Sequence, residues 1–168
     1  ANINILFGSS SADDQLIGLD QSALWVLDVL STLSTSGKVL TFAGLEVLQA
    51  GSGYDEFRLN GLRVEIIRAG AGNDLFVMNE GAISTGLLDG EAGSDTLSYS
   101  SRSTAVQVNL AQHSGTGISG TYTAIENAIG GSGNDVLVGD SLGNRLNGGQ
   151  GNDSLVGAGG DDVYVFED

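Results

Sequence analysis

From position 130 to 165 the chain alternates glycine-rich segments with short apolar-centred segments at a fixed interval of nine residues. Period-two alternation around one apolar residue indicates a very short strand that points that side chain inward and its neighbours outward. Arg145 and Asn147, which flank Leu146, are therefore expected to point outward. The units begin at Gly130, Gly139, Gly148 and Gly157, and the inward residues are predicted to be Leu137, Leu146, Leu155 and Tyr164.

The same element occurs upstream with looser spacing, in segments 50–57, 69–76 and 90–97, and a degenerate copy ends at 14–16. The aspartates of the three upstream segments, Asp55, Asp74 and Asp95, are separated by 19 and 21 residues. Gaps of 41 residues (14 to 55) and 40 residues (95 to 135) are close to two such steps. This spacing predicts that coils of about 18–21 residues account for the whole chain.

A longer duplication overlies these repeats. Segment 42–55 aligns without gaps on segment 122–135, which places Glu46 on Glu126 and Asp55 on Asp135. Segment 23–28 parallels 104–109. Residues 23–33 taken alone also have the periodicity of an amphipathic helix, but 106–110 alternates like a strand, so we predict strands in both places.

Composition supports a repetitive fold. The 168 residues include 27 glycines and no proline, and 40% are apolar but only 6% are aromatic. This is too apolar for a disordered linker and predicts a thin core of Leu, Val and Ile, as in a solenoid. The absence of cysteine excludes disulfides and thiolate metal sites.

The charge balance limits the classes of partner that the chain is expected to bind. Acidic residues number 21 against 6 basic ones, a formal charge of −15, which argues against nucleic acid and anionic membrane surfaces and favours cations. No apolar run approaches the roughly 18 residues of a membrane span, so no membrane insertion is expected. No signal peptide is visible, and we expect the sequence to be a segment of a longer chain.

The Gly-x-Gly-x-Asp segments suggest the chemistry of a metal site. Alternate glycines allow positive φ and can turn backbone carbonyls toward one point, to which an aspartate adds a carboxylate. Calcium takes six to eight such oxygen ligands. Because one loop supplies too few, we expect ions to lie between loops of adjacent coils.

Units 130–138 and 148–156 match every specified position of G-G-x-G-x-D-x-U-x and so resemble the RTX family of calcium-binding nonapeptide repeats. The resemblance implies an all-β fold, a right-handed parallel β-roll or β-solenoid with several Ca²⁺ ions between its loops. Loop 130–135 should stack on 148–153, and loop 139–144 on 157–162. Residues 1–129 would form degenerate coils and 130–168 the regular roll, within one continuous solenoid.

The resemblance also implies the ligands. Asp135 and Asp153 would bind ions on one edge and Asp162 on the other, whereas Leu142 and Asn144 depart from the pattern and should weaken or abolish their site. Asp55, Asp74 and Asp95 would form a single row upstream. Carbonyl ligands would come from Gly131, Gly133, Gly149, Gly151, Gly51, Gly53, Gly70, Gly72 and Gly93.

The longer resemblance, which includes segments 106–110 and 125–130, is to repeat arrays in large secreted bacterial adhesins and surface proteins exported by type I secretion. It implies a non-enzymatic calcium-binding module that folds in extracellular calcium, with neighbouring repeat modules and a surface receptor or glycan as partners. One alternative is an accessory roll of a secreted protease, lipase or polysaccharide epimerase. Another is a glycan- or ice-binding solenoid, for which exposed aromatics would be required: Trp25, Tyr54, Tyr99 and Tyr122.

Two further signals have simpler interpretations. The G-x-G-x-x-G match at 115–120 is not followed by a helical pattern, so we predict a turn rather than a nucleotide site. His113, the single histidine, lies in no recognisable catalytic motif and is expected to be a solvated loop residue.

Overall fold

The computed structural model describes residues 5–9, 14–18, 20–28, 31–35, 38–43, 45–61 and 66–166, and within these ranges all regular structure is β. Most strands are three residues long and pair in parallel with the strand of the next coil. The all-β, predominantly parallel architecture predicted from the repeats is confirmed. No helix in these ranges is long and apolar enough to cross a membrane.

One sheet of ten strands, here called the long sheet, extends from the first described strand to the last. Its members in chain order are β1 (Ile5–Phe7), β3 (Ala23–Leu27), β4 (Ser31–Thr35), β5 (Lys38–Ala43), β7 (Asp55–Leu59), β10 (Leu75–Met78), β13 (Thr96–Ser98), β17 (Asn127–Ile129), β19 (Arg145–Asn147) and β21 (Val163–Val165). In space they are ordered β1-β5-β4-β3-β7-β10-β13-β17-β19-β21.

Two shorter sheets divide the rest of the chain between them. The upstream sheet contains β2 (Gln15–Ile17), β6 (Val47–Gln49), β8 (Ile66–Arg68), β11 (Leu87–Asp89) and β16 (Thr121–Thr123). The downstream sheet contains β14 (Gln107–Asn109), β15 (Ser114–Gly115), β18 (Val136–Val138) and β20 (Ser154–Val156). Two loop segments form a further small ladder, β9 (Ala71–Gly72) with β12 (Ala92–Gly93).

Antiparallel pairing occurs at two excursions from the coils. β3 pairs antiparallel with β4, and β4 with β5, while β14 pairs antiparallel with β15. The strands predicted within 23–33 and 106–110 are confirmed as β3, β4 and β14, although residues 29–30 lie outside the described ranges. Segment 115–120 contains turns and the end of β15, and no helix.

These excursions correct the prediction that coils of 18–21 residues account for the whole chain. The structural successor of Asp95 in the long sheet is Glu126, 31 residues later. Asp135 leads instead into β18 of the downstream sheet, and Asp14 into β2 of the upstream sheet. The 40-residue gap from 95 to 135 is therefore not two steps of one row, because the β14–β15 hairpin lengthens the coil.

The core is a column of inward side chains along the long sheet. The ring of Phe57 stacks between those of Trp25 and Phe76, with centroid distances of 5.6 Å and 5.1 Å. Further along the sheet, Leu97 and Leu146 are fully buried. The predicted aliphatic core is thus partly wrong upstream, where the few aromatic residues concentrate. Downstream, Leu137 and Leu146 are fully buried as predicted, Leu155 is partly buried, and Tyr164 is 44% exposed beside the last strand. Arg145 is exposed as expected, but Asn147 is buried.

Candidate metal centre

Two glycines of the regular repeats, Gly149 and Gly151, lie where no other residue fits. Gly149 and Gly151 have φ of +82° and +122°. A Cβ added to Gly151 would lie 2.0 Å from the carbonyl oxygen of Gly133, and one added to Gly149 would lie 2.2 Å from that of Gly131. The carbonyl oxygens of one loop therefore point directly at the backbone of the next.

The upstream loops share this arrangement. Gly72 and Gly93 have φ of +145° and +150°. A Cβ on Gly72 would lie 2.0 Å from Gly53 O, and one on Gly93 only 1.5 Å from Gly72 O. Backbone hydrogen bonds hold the loops in this register, including Ala71 N–H to Gly51 O at 3.0 Å. The degenerate repeats thus keep the close loop-on-loop stacking of the regular ones.

Asp135 and Asp153 form a column on the edge that leads into the downstream sheet. Asp153 Oδ1 accepts a hydrogen bond from the backbone N–H of Asp135 at 2.8 Å, and Asp135 Oδ1 accepts one from Val106 N–H at 2.8 Å. A Cβ on Gly130 would lie 2.3 Å from both Asp135 Oδ2 and Gly148 O. A carboxylate oxygen of one loop and a carbonyl oxygen of the next therefore converge on the same point.

Asp162 and Asn144 lie on the edge that leads into the long sheet. Asp162 Oδ1 accepts a hydrogen bond from Asn144 N–H at 2.9 Å, 18 residues away, just as Asp153 does from Asp135. The structure therefore stacks loop 130–135 on 148–153 and loop 139–144 on 157–162, as the resemblance implied.

The Asn144 side chain differs from the aspartates. Its Oδ1 accepts a hydrogen bond from Asp140 N–H at 2.8 Å, and its Nδ2 donates to Glu126 O at 2.9 Å and to Asp140 Oδ1 at 3.2 Å. An amide nitrogen is a donor and cannot coordinate a cation. This geometry gives a physical reason for the expectation that Asn144 weakens its site.

Asp55, Asp74 and Asp95 form the row predicted upstream, within the long sheet. Asp74 Oδ1 accepts from Asp55 N–H at 2.8 Å, and Asp95 Oδ1 accepts from Asp74 N–H at 2.7 Å. Their exposures are 1%, 1% and 0%, and the Oδ2 atom of each has no hydrogen-bond partner.

Burial determines the electrostatics of this row. Desolvation raises the pKa of Asp55 and of Asp74 to about 6. It raises the pKa of Asp95 to about 7, helped by the negative charges of Asp74, Glu126 and Asp89. A row of buried carboxylates with orphaned oxygens is a place where the folded protein gains from a bound cation.

The family model for the RTX calcium-binding nonapeptide repeat (four copies) matches residues 125–141 and 129–164. Residues 125–164 are RTX repeats. RTX repeats bind calcium and are typical of extracellular bacterial proteins, so Ca²⁺ is the ion implied for the Asp135–Asp153 column. Residues before 125 lie outside this match, and no curated protein matches the chain.

The donor set of the RTX repeats fits calcium. Among the residues that the structure describes, no group of three Asp, Glu, His or Cys side chains is placed so that it could hold a metal ion by itself. A gap between two stacked loops therefore offers at most two carboxylates, and backbone carbonyls such as those of Gly131 and Gly133 would have to supply the remaining ligands. Hard carboxylate and carbonyl oxygens in this proportion are what calcium accepts.

Glu126 continues the row of Asp55, Asp74 and Asp95 but was not predicted from the sequence. Glu126, at the structural position after Asp95, accepts the N–H of Asp95 through Oε2 at 2.9 Å. Glu46 accepts the N–H of Asp14 in the same way, at 3.2 Å. The signal was present in the sequence, because Glu46 and Glu126 align in the 80-residue duplication. It was not recognised because neither glutamate lies in a Gly-x-Gly-x-Asp loop.

Proposed function

We propose that this chain is a calcium-folded, non-catalytic structural module of a secreted or cell-surface bacterial RTX protein, in particular an adhesin. The observation that carries the proposal is the Asp135–Asp153 column between stacked glycine loops, inside the segment matched as RTX repeats. Several Ca²⁺ ions would lie between loops.

The mechanism follows from charge and chain entropy. With a net charge of −15 and 27 glycines, the metal-free chain has stacked carboxylates that repel one another and a backbone that loses much entropy on folding. Bound calcium neutralises the carboxylates and stabilises the folded state by mass action. Extracellular calcium modules bind at about 10⁻⁴–10⁻³ M. The chain would therefore stay unfolded in a low-calcium cytosol, suit type I secretion, and fold outside.

The proposal includes one continuous right-handed solenoid. Parallel strands joined by crossover connections are almost always right-handed. The long sheet crosses from the degenerate part of the chain to the regular part through the pairing of β17 with β19, which supports continuity. In the regular part, the Asp135–Asp153 and Asn144–Asp162 spacings of 18 residues support a coil of that length.

Neighbouring repeat modules are the partners that this function requires. β20 and β21 are the terminal strands of their sheets, and Tyr164 and Phe166 beside them are 44% and 85% exposed. Free strand edges and exposed aromatic rings favour a stacked partner, and we propose a further repeat module there. Nucleic acid and membrane insertion have no place in this proposal, given the charge.

The alternative functions have less support. For glycan binding, three of the four aromatics expected at the surface, Trp25, Tyr99 and Tyr122, are fully buried, and only Tyr54 is substantially exposed, at 47%. That part of the sequence-based hypothesis was wrong, because these rings fill the core. His113 is exposed on a loop and contacts Tyr122, which favours a surface role over catalysis in an enzyme-linked roll.

The test is a calcium titration of an EDTA-stripped sample followed by far-UV circular dichroism, with magnesium as the control ion. We expect the β signal to rise cooperatively with calcium and not with magnesium. Asp153→Asn should raise the calcium midpoint several-fold, whereas Asp161→Asn, which removes the same charge from an exposed neighbouring position, should not. A chain that is fully folded in EDTA would overturn the proposal.

A further inference from the structure

We propose that Asp55, Asp74 and Asp95 form a second calcium-binding column, upstream of the segment matched as RTX repeats. It would hold ions in the gaps between successive members and, after Asp95, between Asp95 and Glu126. This inference rests on the proposed function for one point only, the identity of the ion as calcium. Its evidence is independent, because no residue of this row except Glu126 lies inside the match.

The first argument is the orphaned oxygens. Each of the three residues is buried to at least 99%, and each accepts N–H groups through its carboxylate: Trp25 Nε1 and Ala23 N for Asp55, Asp55 N for Asp74 and Asp74 N for Asp95. The three Oδ2 atoms accept none. Buried polar atoms in folded proteins are almost always paired, so three unpaired oxygens in one row indicate a missing positive partner.

The second argument is that the orphaned oxygen of Asp95 faces another oxygen. A Cβ added to Gly90 would lie 2.4 Å from Asp95 Oδ2 and 1.9 Å from the carbonyl oxygen of Ala124 in the next coil. Both oxygens are acceptors, so their proximity in a buried place adds negative potential that a nearby cation would offset.

A similar arrangement occurs inside the RTX repeats, where Asp135 Oδ2 and Gly148 O both lie beside Gly130, although there Asp135 Oδ2 also accepts the N–H of Gly131 at 2.6 Å. Upstream, the carbonyl is presented by Ala124, which has a positive φ of +49° although it is not glycine. No nonapeptide pattern predicts this ligand, because Ala124 lies outside any Gly-x-Gly-x-Asp loop. The backbone conformation alone places its carbonyl there.

Neutral donors define both ends of the column. At one end the indole Nε1–H of Trp25 donates to Asp55 Oδ1 at 3.2 Å, and the backbone N–H of Ala23 also bonds the Asp55 carboxylate. At the other end the side-chain amide of Asn144 donates to the backbone carbonyl of Glu126 at 2.9 Å. The residue that follows Glu126 in the row therefore carries an amide and not a carboxylate. The upstream column is thereby separated from Asp162 on the same edge.

The test uses terbium luminescence at pH 8 on the whole chain. Trp25 is the single tryptophan, and its indole nitrogen is 3.2 Å from Asp55 Oδ1. A Tb³⁺ ion in the column would therefore receive energy from Trp25 when the sample is excited at wavelengths that tryptophan alone absorbs. We expect sensitised emission that calcium removes and magnesium does not.

Matched variants localise the signal. Asp74→Asn should reduce the sensitised emission at least five-fold, while Asp153→Asn and Asp161→Asn should retain it. Trp25→Phe should abolish the emission, because Trp25 is the single tryptophan that can transfer energy to the ion. Circular dichroism at saturating calcium verifies that each variant folds.

The wild-type protein alone keeps the inference falsifiable if Asp74→Asn does not fold. A calcium-dependent β signal without any tryptophan-sensitised emission would overturn the upstream column and leave the proposed function intact. Sensitised emission that calcium displaces, in a chain whose fold does not depend on calcium, would support the column and overturn the proposed function. Emission that magnesium displaces equally well would also overturn the column, because it would indicate nonspecific attraction to the acidic surface.

Discussion

Glu126 and Asp95 form a clasp between coils in which each residue bonds the backbone of the other. Glu126 Oε2 accepts the N–H of Asp95 at 2.9 Å, and the N–H of Glu126 donates to Asp95 O at 3.1 Å. Glu46 and Asp14 repeat both bonds, at 3.2 and 3.1 Å. The 80-residue duplication is therefore preserved as a specific set of contacts, and not only as a pattern of residues.

The two copies of the clasp lie in different sheets. Asp14 and Glu46 precede strands of the upstream sheet, whereas Asp95 and Glu126 precede strands of the long sheet. In both copies an antiparallel excursion follows, with β4 on β3 in the first and β15 on β14 in the second. The two copies therefore differ by half a coil in the sheet at which they begin. This change of sheet coincides with the end of the upstream sheet at β16 and the start of the downstream sheet at β14.

Removing the clasp carboxylate should destabilise the calcium-bound protein. Glu126→Ala leaves the buried N–H of Asp95 without its acceptor, which costs about 1–3 kcal/mol. Glu126→Gln keeps a carbonyl acceptor and should lose less. Glu80→Ala is the control, because Glu80 accepts Ser103 N–H at 3.2 Å at an exposed position. Urea unfolding at saturating calcium measures all three, and equal losses for the Glu126→Ala and Glu80→Ala variants would contradict the role assigned to the clasp.

A side chain at Gly151 should separate the stacked loops. Gly151→Ala combines a φ of +122° with a Cβ 2.0 Å from Gly133 O, and we expect a loss of at least about 3 kcal/mol with weaker calcium binding. Gly61→Ala is the matched control, since Gly61 has a φ of +103° with nothing within 4 Å of the added Cβ. It should show only backbone strain, about 1–2 kcal/mol.

The comparison of the two glycine variants isolates the loop contact. Thermal unfolding at saturating calcium gives the stability, and calorimetric titration gives the affinity. If Gly61→Ala weakens calcium binding as much as Gly151→Ala does, the close approach of the loops is not what holds the ion.

Replacing the amide that interrupts the ion pattern should create a site. Asn144→Asp exchanges the Nδ2 donor for a carboxylate oxygen and should add about one calcium ion per chain. The same change should raise the calcium concentration needed for folding, since without an ion at the new site it adds a buried charge. Asn134→Asp adds equal charge at an exposed residue whose Oδ1 already accepts Asn152 N–H. Equilibrium dialysis would show whether Asn144→Asp alone raises the stoichiometry, and an unchanged count would refute the interpretation of Asn144.

The buried row should give the metal-free fold an unusual dependence on pH. Burial raises the pKa of Asp55 and Asp74 from 3.8 to about 6, and that of Asp95 from 3.8 to about 7. The folded state therefore binds more protons than the unfolded state across this range. Protonation of these three carboxyl groups stabilises the folded state fully below their unfolded pKa of 3.8. This stabilisation is lost as the pH rises through their folded pKa values of about 6 to about 7.

In EDTA we therefore expect more β structure at pH 5 than at pH 8. At saturating calcium this order should reverse, because protons compete with the ion for the same carboxylates. Far-UV circular dichroism at both pH values, in EDTA and in calcium, provides the measurement. The triple variant Asp55→Asn, Asp74→Asn, Asp95→Asn should lose the pH dependence in EDTA, and a wild-type β signal in EDTA that is equal at pH 5 and pH 8 would argue against these shifts.

The sequence by itself determined the regular part of the molecule. A nine-residue period over 130–165 identifies the strands, the buried Leu137 and Leu146 and the pairing of Asp135 with Asp153. This is possible because each coil packs only on its neighbours, so the period in sequence is also the spacing of contacts in space. The single row of Asp55, Asp74 and Asp95 was predictable for the same reason.

Only the tertiary structure decided which sheet each aspartate belongs to once an excursion interrupted the period. Asp95 and Asp135 look like members of one row in sequence, yet the β14–β15 hairpin places them in different sheets. The burial of Trp25, the contact of Glu126 with Asp95 and the carbonyl of Ala124 beside Asp95 also lie outside the repeat pattern. Such contacts depend on where a coil of altered length returns to the stack, and spacing along the chain does not encode that position.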